Sequence, residues 1–254
     1  MSIPLVSGLN IIHTEWSPLV NRIVIVLMLL MGSHISAGAD SIMVGDVEIS
    51  PADFSAQQPA EKRLAKCLAC HGDRAGGDID FGPDTHFGTP ALRGMSEDDL
   101  RESLVAYKTG TRSHKEMSVV SSLLDEETMD FMARTLAEME IPPARPADQL
   151  TTLADTDTLF REGQTIALQG APQKGVPACM ACHGSLGEGS AVGPRLAGQN
   201  VMYIENQFQA FAGGTRKTAQ SAVMLPVVSG LAEDEIRAVA YYYSLLSVIS
   251  VFYN

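Results

Sequence analysis

Cys179-Met180-Ala181-Cys182-His183-Gly184 is the stretch on which the reading of this chain turns, together with an earlier copy, Cys67-Leu68-Ala69-Cys70-His71-Gly72. Each is C-x-x-C-H, the pattern by which a c-type haem is attached covalently. Two thiols three residues apart lie on one helical turn, where they can add to the two vinyl groups of a haem. The histidine that follows lies under the iron and can ligate it. The two copies use all four cysteines of the chain, Cys67, Cys70, Cys179 and Cys182.

Other uses of paired cysteines fit less well. A zinc ribbon separates its C-x-x-C pairs by roughly 15–20 residues, whereas more than a hundred separate Cys70 from Cys179. A redox C-x-x-C follows a strand in a βαβ unit, and no strand pattern precedes either pair. Two structural disulfides would suit an exported protein but leave the histidine after each pair unexplained.

The rest of the chain repeats around these motifs. Pro90-Ala91-Leu92-Arg93-Gly94 aligns with Pro194-Arg195-Leu196-Ala197-Gly198, and Tyr107 to Arg112 aligns with Phe211 to Arg216, both at an offset of 104. Met129, Met132, Ala133 and Leu136 align with Ile236, Val239, Ala240 and Tyr243 at an offset of 107. Apolar spacing predicts a helix over 60–69 running into the first motif, and another from Ser96 to Gly110 with Leu100, Leu104 and Tyr107 inward. It predicts a third from Asp125, and second-half helices over 157–168, 200–212 and 233–246. Ser96 with Asp99 three residues on resembles a capping box. Ile141-Pro142-Pro143-Ala144-Arg145-Pro146 cannot continue a helix and reads as a linker. The expected organisation is a leader over 1–39, a flexible lead-in over 40–59, a first haem domain over 60–140, a linker over 141–156 and a second haem domain over 157–254. The fold class is all-α, by internal duplication.

In the leader, Arg22 precedes nine apolar residues, Ile23 to Met31, and Ala37-Gly38-Ala39 offers a cleavage site. Nine are too few to cross a bilayer, which takes about 20, so an export signal, and hence a periplasmic protein, is expected. Membrane association would be peripheral. The net charge is −12 over 254 residues. From Asp40 to Pro146 there are 11 basic and 20 acidic residues, and from Ala147 onwards 6 and 9. An acidic chain disfavours nucleic acid and suits partners with basic docking patches.

His71 and His183 supply one axial ligand each. For the other position, the repeat singles out Met224, which follows Gly214-Thr215-Arg216, and Met117, which follows Gly110-Thr111-Arg112. Methionine thioether favours the ferrous state. A methionine is elsewhere often a core filler, which suits Met129 and Met132 better, while Met95 and Met202 abut helix starts. His86 and His114 are the alternatives in the first half. An iron filled on both sides has no room for substrate, so electron transfer is expected rather than catalysis. Arg112 and Arg216 either pair with haem propionates or sit in solvated turns.

The order Gly175 to Gly184, Gly193 to Gln199, Tyr203, Gly214-Thr215-Arg216, Met224 and Tyr241-Tyr242 resembles the dihaem class I cytochromes c of the cytochrome c4 family. The resemblance covers nearly all of the chain after the leader. It implies two tandem class I haem domains about a pseudo-two-fold axis, each with one covalent haem c. It implies a carrier between a quinol-oxidising bc-type complex and a terminal haem-copper oxidase. It also implies that the carbonyls of Pro90 and Pro194 accept from the ligand histidines. The first half departs from the pattern: 19 residues separate His71 from Pro90, against 11 from His183 to Pro194. Its Pro-Ala-Leu-Arg-Gly-Met-Ser-Glu-Asp run is similar to the dihaem subunit of flavocytochrome c sulfide dehydrogenases. That similarity implies, as the alternative, an electron-accepting subunit beside a flavin dehydrogenase.

Overall fold

Ser96, Asp125, Asp157 and Asn200 each present a side-chain oxygen to the open backbone N–H groups that begin a helix, and each starts one in the structure. The structure, a computed structural model, describes residues 41–72, 76, 88–141, 157–219 and 221–246. The leader, most of the loop after His71 (with His86) and nearly all of the expected linker lie outside the described residues.

In the first half α1 (Ala60–His71) carries the whole first motif in its last turns. It is followed by α2 (Glu97–Thr109), α3 (Lys115–Ser122) and α4 (Glu126–Ala137). In the second half α5 (Thr158–Gln169) stops short of the motif. Gly170, at φ +72°, turns the chain so closely that a Cβ there would lie 2.4 Å from the Val176 carbonyl oxygen. A 3₁₀ turn, Pro172–Lys174, and the short α6 (Met180–His183) then deliver the second motif. Next come α7 (Val201–Ala212), α8 (Ser221–Gly230) and α9 (Glu233–Leu245). No helix among the described residues is long and apolar enough to cross a membrane.

On α2 the predicted inward face is buried at Leu100 and half-buried at Leu104 and Tyr107, while those of α4 and α7 are buried. Met129, Met132, Ala133 and Leu136 line α4, and Ile204, Phe208 and Phe211 line α7. The second-half core centres on the crossing of α5 and α9. There Gly163 lets the backbones approach until an added Cβ would fall 2.0 Å from the Ala238 carbonyl oxygen. Phe160 and Tyr242 stack beside it, with ring centroids 5.2 Å apart. The first half is built chiefly on α2 against α4, with Arg101–Asp130 and Arg134–Glu97 ion pairs on the outer side.

Two expectations need correction. Residues 40–59 are not a flexible lead-in: β1 (Ile42–Val44) and β2 (Val47–Ile49) form an antiparallel hairpin, and a 3₁₀ turn, Pro51–Phe54, follows. Ile42, Val44, Val47 and Ile49 alternate about a Gly45-Asp46 turn, which is a hairpin pattern, and Val44, Ile49 and Phe54 are buried. The predicted set of helices also lacks α3 and α8, which carry Met117 and Met224; α8 holds Pro226 within it.

Candidate haem sites

A thioether site needs two cysteines on one helical face and a histidine whose iron-binding nitrogen has a lone pair. Cys67 and Cys70 sit one turn apart on α1, and Cys179 and Cys182 do so at α6. None of the four is in a disulfide. Burial pushes the Cys67 thiol up to about 12 and Cys179 up to about 11, so both stand as neutral thiols at neutral pH.

Both histidines are buried. His71 Nδ1 lies 3.0 Å from the Pro90 carbonyl oxygen and His183 Nδ1 lies 2.7 Å from that of Pro194. A carbonyl only accepts, so each Nδ1 carries a proton, and Nε2 is the nitrogen left to face a metal. Burial lowers the pKa of His183 against the opposing effect of the Pro194 bond, which holds the ring neutral. Gly193 makes the second bond possible: a Cβ there would meet the Cys182 carbonyl oxygen at 2.8 Å and His183 Nδ1 at 3.0 Å. The 8-residue difference in loop length between the halves leaves this contact unchanged, because both loops return a proline to the same ring edge.

Met117 is the third residue of α3 and is half-buried. Met224 is the fourth residue of α8 and packs on the second-half core. His114 caps α3, accepting from the Met117 N–H at 3.5 Å, and lies 3.3 Å from Glu116.

Arg112 and Arg216 come together where the halves meet. Ser113 N–H donates to the Thr215 carbonyl at 2.7 Å, and Lys217 N–H donates to the Thr111 carbonyl at 2.6 Å. Arg112 and Arg216 thus face each other across an antiparallel bridge. Arg112 is not a solvated turn residue: it is 4% exposed and donates to Ser103, to the Tyr203 hydroxyl at 2.7 Å and to Gln207 at 2.7 Å. Arg216 donates to Gln207 at 3.1 Å and packs over Phe211, and its buried Nε has no hydrogen-bond partner. Burial opposes ionisation of Tyr203, yet Arg112 and Arg216 outweigh it and hold the phenol below its ordinary value. A second contact runs from Gln199, which bonds both backbone groups of Ala91 at 2.8 and 2.9 Å. Sequence reasoning gave Tyr203, Gln207 and Gln199 no role. The i, i+4 spacing of Tyr203 and Gln207 shows a shared face, but nothing in it says that the other half lies opposite.

The family model described as Cytochrome c matches residues 160–246. A protein of Stutzerimonas stutzeri named "Thiosulfate dehydrogenase electron acceptor" is 33% identical over 189 residues, covering 74% of this chain and 82% of the relative. The solved cytochrome c4 of Acidithiobacillus ferrooxidans superposes with a TM-score of 0.56 at 29% identity, over 71% of this chain and 98% of that one.

This chain belongs to the cytochrome c4 family of dihaem class I cytochromes c.

A solved thiosulfate dehydrogenase from Marichromatium purpuratum also matches, with a TM-score of 0.61 at 28% identity, over 74% of this chain and 38% of that one. The cytochrome therefore has the expected all-α, twice-repeated fold, holds two covalent haems c and transfers electrons. Its own residues fit the cofactor: two unbridged thiols per site, a buried histidine per site whose Nδ1 is held by a proline carbonyl, and an arginine between the halves, Arg216, whose buried Nε has no hydrogen-bond partner.

Proposed function

We propose that this cytochrome is exported through its leader to the periplasm and takes electrons from a thiosulfate-oxidising dehydrogenase, passing them towards a terminal haem-copper oxidase. The observation that carries the reading is the 33% identity over 82% of a protein named as the electron acceptor of thiosulfate dehydrogenase. The match to part of a solved thiosulfate dehydrogenase supports the same class of donor. In the alternative the chain is the electron-accepting subunit of a flavin-bearing sulfide dehydrogenase, and the donor is a flavin rather than a thiosulfate-oxidising enzyme. Each haem iron supplies one one-electron ferric/ferrous couple, so the chain takes up two electrons, the number released when two thiosulfate ions are joined through a sulfur–sulfur bond.

Residues 60–140 and 157–254 each form one haem domain, with the hairpin an addition to the first. His71 and Met117 ligate one iron, His183 and Met224 the other, and thioether coordination favours reduction. Arg112 and Arg216 face the propionates. The net charge of −12 steers a basic partner face to the surface, in the weak, transient contacts that suit a carrier.

The test is stopped-flow reduction of the oxidised holoprotein by thiosulfate dehydrogenase and thiosulfate. Reduction of both haems, faster with this cytochrome than with a mitochondrial-type monohaem cytochrome, is the expected result. Reduction only by a quinol-driven bc-type complex, or only by sulfide with a flavin dehydrogenase, overturns the donor. Met117→Ala and Met224→Ala should each open one ferrous haem to carbon monoxide. Wild-type protein that binds carbon monoxide rapidly at both haems would overturn the axial assignment.

A further inference from the structure

The N-terminal hairpin lies across two walls of the first haem site. β2 packs against α1, whose last turns carry Cys67, Cys70 and His71, while β1 packs against α3, which carries Met117. Lys66, next to Cys67, donates to the Glu48 carbonyl at 2.7 Å and pairs with Asp53 at 3.5 Å. Beyond the hairpin, Phe54 is 3% exposed. It joins one apolar cluster with Leu64 and Cys67 of α1, Val120 of α3 and Met129 of α4. The Thr128 hydroxyl of α4 donates to its carbonyl at 3.3 Å.

The second half has no such hairpin among the described residues and is closed another way. There α5 and α9 pack along each other at Gly163. At the offset of 107 that aligns α4 with α9, Phe131 stands in the place of Ala238. Its ring is covered by the Arg63 guanidinium, 3.5 Å from the centroid. A phenylalanine there prevents the close backbone approach, and α1 and α4 make no comparably extensive contact. The haem-attachment helix of the first half is held to α2 and α4 by side chains, Leu64 and Leu68 against Leu100, Ala133 and Leu136 and Arg63 on Phe131, without a close backbone crossing, and the hairpin adds a tie to α3.

We propose that residues 41–54 are a strap that positions the axial methionine of the first haem, by joining the helix that bears Met117 to the helix that bears the attachment motif. The proposal rests on Met117 being the sixth ligand. An iron–thioether bond holds only while its helix stays in place, so the strap sets how often the first iron opens. An external ligand binds in proportion to the open fraction. Loosening the strap therefore admits ligand at one haem and leaves the other closed.

The test uses the full-length holoprotein and reads carbon monoxide binding to the ferrous form and the potential of each haem. Phe54→Ala and Val44→Ser should each speed carbon monoxide binding at one haem about tenfold or more, with a fall in that haem's potential as the open form gains weight. The haem affected should be the one that Met117→Ala opens. Lys66→Gln, on the partly exposed side, should give the same change in smaller measure and covers the case in which the core variants do not accumulate. If Met117→Ala opens one haem and all three strap variants bind at the wild-type rate, the strap is wrong and the ligand assignment stands. If Met117→Ala changes neither rate nor potential, the axial assignment has failed and the proposal falls with it.

Discussion

At the scale of single residues, the two sites were legible because their chemistry is written in short, local patterns. Cys179, Cys182 and His183 are adjacent in sequence and in space, and a single helical turn suffices to place them. Pro194 is 11 residues from His183, and repetition in the other half marked it. Gly193 could not be found this way, because its constraint is an absence of volume. Gly193→Ala should push the chain off the His183 ring and weaken the Nδ1–H bond to Pro194. That bond raises ligand basicity, which favours the ferric iron, so one haem's potential should rise while the other stays. An optical redox titration that resolves two components checks this. Arg112 and Arg216 were legible only as alternatives, since a turn residue with no carboxylate nearby looks the same in sequence whether it faces solvent or the other half.

At the scale of elements, caps and inward faces were read from sequence, whereas the hairpin and the helices α3 and α8 were not. Strands of three residues hold too few alternations to stand out, although the Gly45-Asp46 turn lies directly between Val44 and Val47. A proline such as Pro226 is disfavoured inside a helix, yet tertiary contacts to α7 hold α8. The crossing of α5 and α9 depends on Gly163, and Gly163→Ala should destabilise the second half by about 1–3 kcal/mol, as overpacking does, measured by denaturant unfolding. The cap of α5 adds a dependence on pH. Asp157 accepts from the Leu159 and Phe160 N–H groups at 3.0 and 3.1 Å and from the Tyr241 hydroxyl at 2.9 Å. The Phe160 bond first, then Tyr241, holds its carboxyl below the ordinary value. A depressed carboxyl contributes stability above its unfolded pKa of about 3.9 and loses it as pH falls through the folded value. Asp157→Asn should therefore flatten the fall in thermal stability below about pH 4, with little change in fold.

At the scale of the whole molecule, duplication was visible in the two offsets, but the way the halves meet was not, because the sequence does not show which faces oppose. Gln207 accepts from both Arg112 and Arg216, so Gln207→Ala leaves two buried guanidiniums short of an acceptor, at about 1–3 kcal/mol for an unsatisfied buried group. Calorimetry of the holoprotein should then show one unfolding transition separating into two. The charge of −12 predicts that reduction by a basic partner slows as ionic strength rises and the Debye length shrinks.

The paired main-chain bonds at Thr111–Ser113 and Thr215–Lys217 have the symmetry by which two identical subunits greet each other across a two-fold axis. Such a dimer of separate copies would come apart on dilution. Joined in one chain, the halves face each other at an effective concentration on the order of millimolar, however scarce the protein. Because two of the bonds are made by backbone, that part of the contact does not depend on which side chains the two turns carry. Each copy has been at liberty to drift, one towards a glycine crossing and near-neutral charge, the other towards a strap and an acidic coat, without the pair losing its handshake.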